Sequence, residues 1–254
     1  LSSLQGTKNI VEMLHRQGRM HPSICEFVNR NYYNGGLDAV PLPHQQEPLA
    51  FGTRPDDDRW TAFVAGTRMA FISVQADEAE YYTKIESKQE QTKLAQGLPN
   101  VGDSSKSNKR EAETVARLIH TLCQLYSRSG IPFSPCKQIG IIVPFRAQIA
   151  MIRKALAERH IPDTADITID TVERYQGSQR DIIIFSTTVS RPYQLSILSE
   201  PVMTDGREID RKLNVALTRA RKQFFMTGNE TLLRNCTAYR KFLDFLSKEQ
   251  ILRL

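Results

Sequence analysis

The chain has 254 residues, 40% of them hydrophobic, which is enough for one sizeable core or two small ones. No apolar run approaches the roughly 20 residues that cross a bilayer, and the first residues lack the pattern of a signal peptide, so the composition argues against a membrane protein. The net charge of +6, from 34 basic and 28 acidic residues, leans toward a polyanionic partner without marking one.

The chain begins at Leu1 with no initiator Met, in sequence that reads as mid-domain, and we expect a fragment of a longer protein. Pro22-Ser23 suits the start of a helix, with Arg19 in the loop before it. Residues 41–60, rich in proline and acid, read as a surface excursion, and residues 77–109 as a second, polar one whose later half is a flexible loop or insertion. Five short, nearly continuous apolar runs read as strands buried on both faces: 69–74 (MAFISV), 139–143 (IGIIV), 167–171 (ITIDT), 182–187 (IIIFST) and 224–227 (FFMT). Helical periodicity falls between some of them. Val115, Leu118, Ile119, Leu122 and Leu125 form one stripe in 111–125; Ile149, Ile152 and Leu156 share a face in 148–156; Tyr239, Phe242, Leu243 and Leu246 do so in 239–246. Strands alternating with helices predict an α/β fold over residues 1–254, a single domain with a doubly wound, mainly parallel sheet flanked by helices. Ligand sites then belong at the strand ends and the loops that follow them. The four scattered cysteines, Cys25, Cys123, Cys136 and Cys236, have no CxxC and no His at metal-ligand spacing, and read as reduced thiols of a cytoplasmic, intracellular protein.

Two segments imitate parts of a complete nucleotide site. Residues 97–104 (GLPNVGDS) carry the glycine spacing of a phosphate loop, but Asp103 stands where the lysine belongs and would repel phosphates; a plain loop is the preferred reading. Residues 71–79 resemble an apolar strand delivering Asp77-Glu78 to a magnesium ion, yet they precede the false phosphate loop, and a strand followed by a charged helix start explains them. No metal ligands are expected in this chain.

Four other segments carry chemistry. In Arg16-Gln17-Gly18-Arg19-Met20-His21-Pro22 an arginine precedes a helix. At Pro144-Phe145-Arg146 a buried strand stops abruptly, where an aromatic beside a cation can stack a base and hold a phosphate; Phe145 as a packing plug is the alternative, and the residues alone do not separate the two. Thr171 and the amides after it have the short donors that a backbone phosphate needs, and Gly177 lets the chain turn tightly beside a ligand. Residues 211–222 (RKLNVALTRARK) read as a basic helix, on which a fixed Arg219 can reach a phosphate.

In this order the four segments resemble the second RecA-like domain of superfamily 1 helicases, in the branch holding the nonsense-mediated-decay helicase and its DNA relatives. That family carries QYRMHP, a strand ending in a Pro-aromatic turn, [ST]VDxFQGxE and LNVALTRA; the last is present in full at 213–220, and the likeness spans 17–228. The resemblance implies a RecA-like fold and a motor half that shares an ATP site with a first RecA-like domain of the same protein. That partner domain would bring the phosphate loop and the Mg2+ ligands. It implies catalytic roles for Arg219 and Arg19, nucleotide contacts from Gln17, Arg19, Gly177, Gln179 and Arg219, and a single-stranded DNA or RNA track along Pro144, Phe145, Arg146 and Thr171. Two positions depart from the family: its Tyr is Gly18 here and its Glu is Gln179, both on the base and ribose side. The alternative is a non-hydrolysing module of the same fold that binds nucleic acid or a protein. A dinucleotide-binding oxidoreductase is not expected, because no GxGxxG follows a strand.

Overall fold

The computed structural model describes residues 15–74, 106–175, 178–204 and 206–254. The first part of the chain forms β1 (Arg16–Gln17), α1 (Pro22–Tyr32), β2 (Asp38–Ala39), α2 (Pro43–Gln46), α3 (Arg59–Gly66) and β3 (Met69–Ser73). Next come α4 (Lys109–Arg128), α5 (Pro135–Gln138), β4 (Ile139–Val143), α6 (Arg146–Glu158), β5 (Thr168–Thr171) and β6 (Arg180–Ser186). The last part holds α7 (Leu195–Leu198), β7 (Pro201–Thr204), β8 (Arg207–Asp210), α8 (Arg211–Thr218), β9 (Ala220–Gly228), α9 (Glu230–Leu233), α10 (Thr237–Phe245) and β10 (Ile251–Arg253).

Six strands build one sheet in the order β10-β3-β9-β6-β4-β5, and every neighbouring pair is parallel. Residue alternation divides the core into two layers. Ile72, Ile141, Ile182, Ile184 and Phe225 face the layer made by α3, α4 and α6, whereas Phe71, Ile142, Ile183, Phe185, Phe224 and Met226 face α1, α8 and α10. A strand buried on both faces favours apolar residues at nearly every position, which is why the apolar runs in the sequence are nearly continuous. The expected α/β, RecA-like sheet flanked by helices is present.

The longest helix, α4, starts where Asn108 Oδ1 accepts the Glu111 N–H at 3.0 Å and stops before Gly130, whose φ of +66° is the left-handed turn that ends many helices. Its stripe Val115, Leu118, Ile119, Leu122 and Leu125 is wholly buried. One expectation needs correction. The run 211–222 is not one helix: α8 ends at Thr218, Arg219 caps it, and Ala220 already pairs with Arg180 as the first residue of β9. The excursion at 41–60 is exposed at most positions; it contains α2 and the start of α3, and buries Gln45 at 3% exposure. The edge strand β10 and the β7–β8 hairpin had no apolar run long enough to mark them. Among the described residues no helix is long and apolar enough to cross a membrane.

Candidate functional site

The loop before α1 is shaped by its own side chains. Gln17 Oε1 accepts the N–H groups of Arg19 at 2.9 Å and Met20 at 2.7 Å, and Gln17 Nε2 donates to the Met20 carbonyl at 2.9 Å. The Gln17 amide is thus engaged within the turn, where it sets the path of Gly18-Arg19. Two residues of the supposed excursion hold the same loop from outside. Gln45 Nε2 donates to the carbonyls of Gln17 at 3.2 Å and Met20 at 2.8 Å, and His44 Nε2 lies 3.0 Å from the Arg19 carbonyl. His21 then caps α1, its Nδ1 accepting the Ser23 N–H at 3.2 Å. Burial, then the positive Arg68 and the neighbouring His44, lowers the His21 pKa to about 4, which keeps the ring neutral and Nδ1 free to accept.

This turn aims Arg19 at the amino-terminal ends of β6 and β9. Arg19 Nε donates to Gln179 Oε1 at 3.0 Å, and a terminal nitrogen donates to the Thr218 carbonyl at 3.1 Å. That carbonyl lies in the last turn of α8, where the helix dipole is negative and attracts a cation. Arg219 follows directly. Its N–H donates to the Ala216 carbonyl at 3.3 Å and its carbonyl accepts the Arg180 N–H at 3.1 Å, so a helix end and a strand start clamp its backbone. The Arg219 Nε is buried and has no hydrogen-bond partner among the described residues. Burial first, and the positive Arg19 beside it, lower the pKa of this guanidinium.

Around this pair the other cations are occupied. Arg221 bonds Asp181 at 3.1 Å, Lys222 bonds Glu47 at 2.8 Å, and Arg68 donates to the carbonyls of Lys222 and Glu47. Arg19 and Arg219 have no carboxylate partner among the described residues. Two like charges held together without a counter-ion are unfavourable until an anion arrives, and planar guanidinium groups suit phosphate oxygens. The structure therefore brings Gln17, Arg19, Gln179 and Arg219 to one place. Gly177 lies outside the described residues, as do the false phosphate loop and Asp77-Glu78. Among the described residues no group of three or more His, Cys, Asp or Glu is placed to hold a metal ion.

The other expected site residues sit at the opposite, carboxyl-terminal ends of the strands, and β4 alone spans roughly 16 Å at 3.3 Å per residue. Pro144 and Phe145 join β4 to α6, where Phe145 is 7% exposed and caps the helix, while Arg146 is exposed. The low exposure of Phe145 is that of a packing plug; the cation next to it is what faces outward. Thr171 ends β5, its N–H bonded to Asp170 Oδ1 at 2.8 Å and its carbonyl accepting the Tyr175 N–H at 2.9 Å. Lys212 ties the next turn down, bonding Glu173 at 3.1 Å and the Ile197 carbonyl at 2.8 Å.

The two ends are joined by the segment after β5, which must pass β4 to reach β6. Its Val172 and Tyr175 pack in the layer under α1 and α8. Gly140 makes room for this passage: a Cβ there would stand 1.8 Å from the Tyr175 hydroxyl oxygen. Sequence reasoning missed Gln45, His44 and Tyr175 as supports of the site. None of them had a pattern to mark it, since each acts through backbone carbonyls or a packing contact far away along the chain.

The AAA_12 family, described as an AAA domain, matches residues 1–231. The putative helicase MOV-10 of Gallus gallus is 32% identical over 155 residues, 56% of this chain and 15% of that protein. The DNA polymerase alpha-associated DNA helicase A of Saccharomyces cerevisiae is 29% identical over 90% of this chain and 29% of its own length. The regulator of nonsense transcripts 1 homolog of Arabidopsis thaliana is 28% identical over 87% of this chain and 14% of its own length. The chain thus spans less than a third of each of these relatives. It belongs to the AAA_12 family and is a superfamily 1 helicase-like domain.

Proposed function

We propose that this chain is the C-terminal motor half, the second RecA-like domain, of an ATP-dependent helicase or translocase acting on single-stranded DNA or RNA in the cytoplasm. The observation that carries the reading is the pair Arg19 and Arg219, held at one end of the sheet without a carboxylate partner and with Arg219 Nε unbonded among the described residues. The pair fits the polyphosphate of a nucleotide that the first RecA-like domain of the same protein grips from the other side. ATP and Mg2+ supply the driving reaction when bound, and the magnesium ligands belong to that partner domain. Arg219 would lie on the γ-phosphate, where charge develops. Arg19 would hold a neighbouring phosphate while its Nε keeps Gln179 in place. The track would run past Arg146 and Thr171 at the far ends of the strands. The Tyr175 segment links that track to Gln179, so closure and opening of the two domains reaches both.

The test is ATP turnover by the full-length protein, with and without single-stranded nucleic acid. Stimulation by single strands is expected, and the isolated chain should show essentially no turnover. A full-length protein with no stimulated turnover would sink the proposal in favour of a binding module.

Gly18 should leave the base loosely selected. A side chain at this position meets Leu42 Cδ1 at 3.0 Å, and Leu42 is 38% exposed, so its flexible end can move aside. Gly18→Tyr should therefore fold and add a stacking face worth about 1–3 kcal/mol by analogy with base–aromatic stacks. The expected result is a KM for ATP about tenfold lower with kcat little changed. An unchanged KM would remove position 18 from the base site.

A further inference from the structure

We infer that Glu111 is a positioning residue for the nucleic-acid track: its carboxylate locks the carboxyl-terminal ends of β6 and β9 to the first turns of α4 and α6. The inference rests on the track proposed above. Glu111 has no solvent exposure. Its Oε2 accepts from Ser186 Oγ at 2.7 Å, the Thr188 N–H at 3.0 Å and Thr227 Oγ1 at 3.1 Å, while Asn108 Nδ2 approaches Oε1 at 3.3 Å. One carboxylate thus gathers β6, the segment leaving it, and β9. Ser186 Oγ also accepts from Gln148 Nε2 at 3.3 Å, and Gln148 bonds both polar groups of the Asn108 backbone, at 2.7 and 3.1 Å. Gln148 is in the first turn of α6, two residues after Arg146. The network therefore sets where Arg146 stands relative to the chain leaving β6.

Two features argue for more than stability. Thr188 is β-branched and sits at φ +60°, a left-handed conformation that persists only where its surroundings over-determine it, and such outliers cluster at functional sites. Here Glu111 is the restraint on the Thr188 N–H. Second, Glu111 has no cation bonded to it among the described residues, and such a buried carboxylate is a poor stabiliser compared with a well-packed apolar residue. It lies under the carboxyl ends of a parallel sheet, where ligands of such folds bind. The groups facing it from α4, β6, β9 and α6 are Asn108, Ser186, Thr187, Thr188, Thr227 and Gln148; none carries a charge. Burial pushes the carboxyl up to about 7 against the lowering effect of its hydrogen bonds. Below that pH the group gains a proton, loses acceptor capacity and loosens its grip.

The test is single-strand affinity of the full-length protein, read by fluorescence anisotropy with a labelled oligonucleotide from pH 6 to 8.5, beside binding of a fluorescent ATP analogue. Wild-type affinity for the strand should fall as pH drops through about 7. Glu111→Gln should bind the strand about tenfold more weakly at pH 8, with a flat profile and unchanged analogue binding. Thr227→Val keeps the shape but removes one donor to the ionised form. It should therefore shift the profile midpoint upward by a fraction of a pH unit, which loss of stability alone would not do. If Glu111→Gln fails to fold, the Thr227→Val midpoint decides alone. Wild-type affinity and an unmoved midpoint in the folded variants overturn the inference while leaving the motor proposal standing. A wild-type protein that binds no single strand overturns both.

Discussion

Arg219→Ala in the full-length protein should lower single-strand-stimulated ATP turnover by about 10³-fold or more, the range set by arginines that meet developing phosphoryl charge. The loss should fall on kcat rather than KM, because the contact strengthens as charge moves onto the phosphoryl oxygens. The fold should survive. Arg219 caps α8 through its backbone, its guanidinium bonds nothing through Nε among the described residues, and Arg19 beside it is a like charge whose repulsion the substitution removes. Thermal unfolding should therefore stay at or slightly above the wild-type midpoint. Arg219→Lys keeps the charge but loses the planar fork, and should recover little of the rate. Turnover within threefold of wild type in Arg219→Ala would end the assignment of this residue to the γ-phosphate.

Gly140→Ala should cost about 3 kcal/mol of stability, at the upper end of overpacking penalties. The added Cβ would meet the Tyr175 hydroxyl oxygen at 1.8 Å, its Cζ at 2.7 Å and Arg180 Cγ at 3.0 Å. The backbone cannot retreat, because β4 is hydrogen-bonded on both sides by β5 and β6. Tyr175, 1% exposed and with no partner for its hydroxyl among the described residues, must move instead. Moving it displaces the segment between Thr171 and Gln179, so stimulation of ATP turnover by single strands should fall further than basal turnover. Tyr175→Phe alone removes an unpaired buried hydroxyl and should be neutral or mildly stabilising. Combined with Gly140→Ala it should restore part of the loss, a coupling that denaturant titration of the four proteins of the double-mutant cycle measures. A loss below about 0.5 kcal/mol in Gly140→Ala would show that the contact is easily relieved.

Most strands were legible in the sequence because a parallel sheet covered on both faces leaves few polar positions. The runs at 139–143 and 182–187 differ from β4 and β6 by no more than two residues at an end. The α4 stripe was legible for the matching reason, a 3.6-residue period over a 20-residue helix. The short elements were not: β10 has three residues and α2 four, too few for any period to rise above chance. Arg219 was found as a residue but misplaced, since helix propensity runs on through Thr218-Arg219-Ala220 and only pairing of Ala220 with Arg180 turns the chain into β9.

For the candidate site, the order of the RMHP, Pro144-Phe145, Thr171 and LNVALTRA segments along the chain was enough to name the residues and the family. That information is local: each motif is a short string whose residue types suit one task. The grouping of those residues was decided by tertiary structure alone. Arg19 and Thr218 are 199 positions apart and Arg19 and Gln179 are 160 apart, yet each pair is joined by one hydrogen bond. Glu111 is the clearest case. At the first turn of a helix a glutamate reads as a favourable partner for the helix dipole. Its burial beneath β6 and β9 comes from bonds reaching 75 to 116 residues along the chain, and no local pattern encodes contacts of that range.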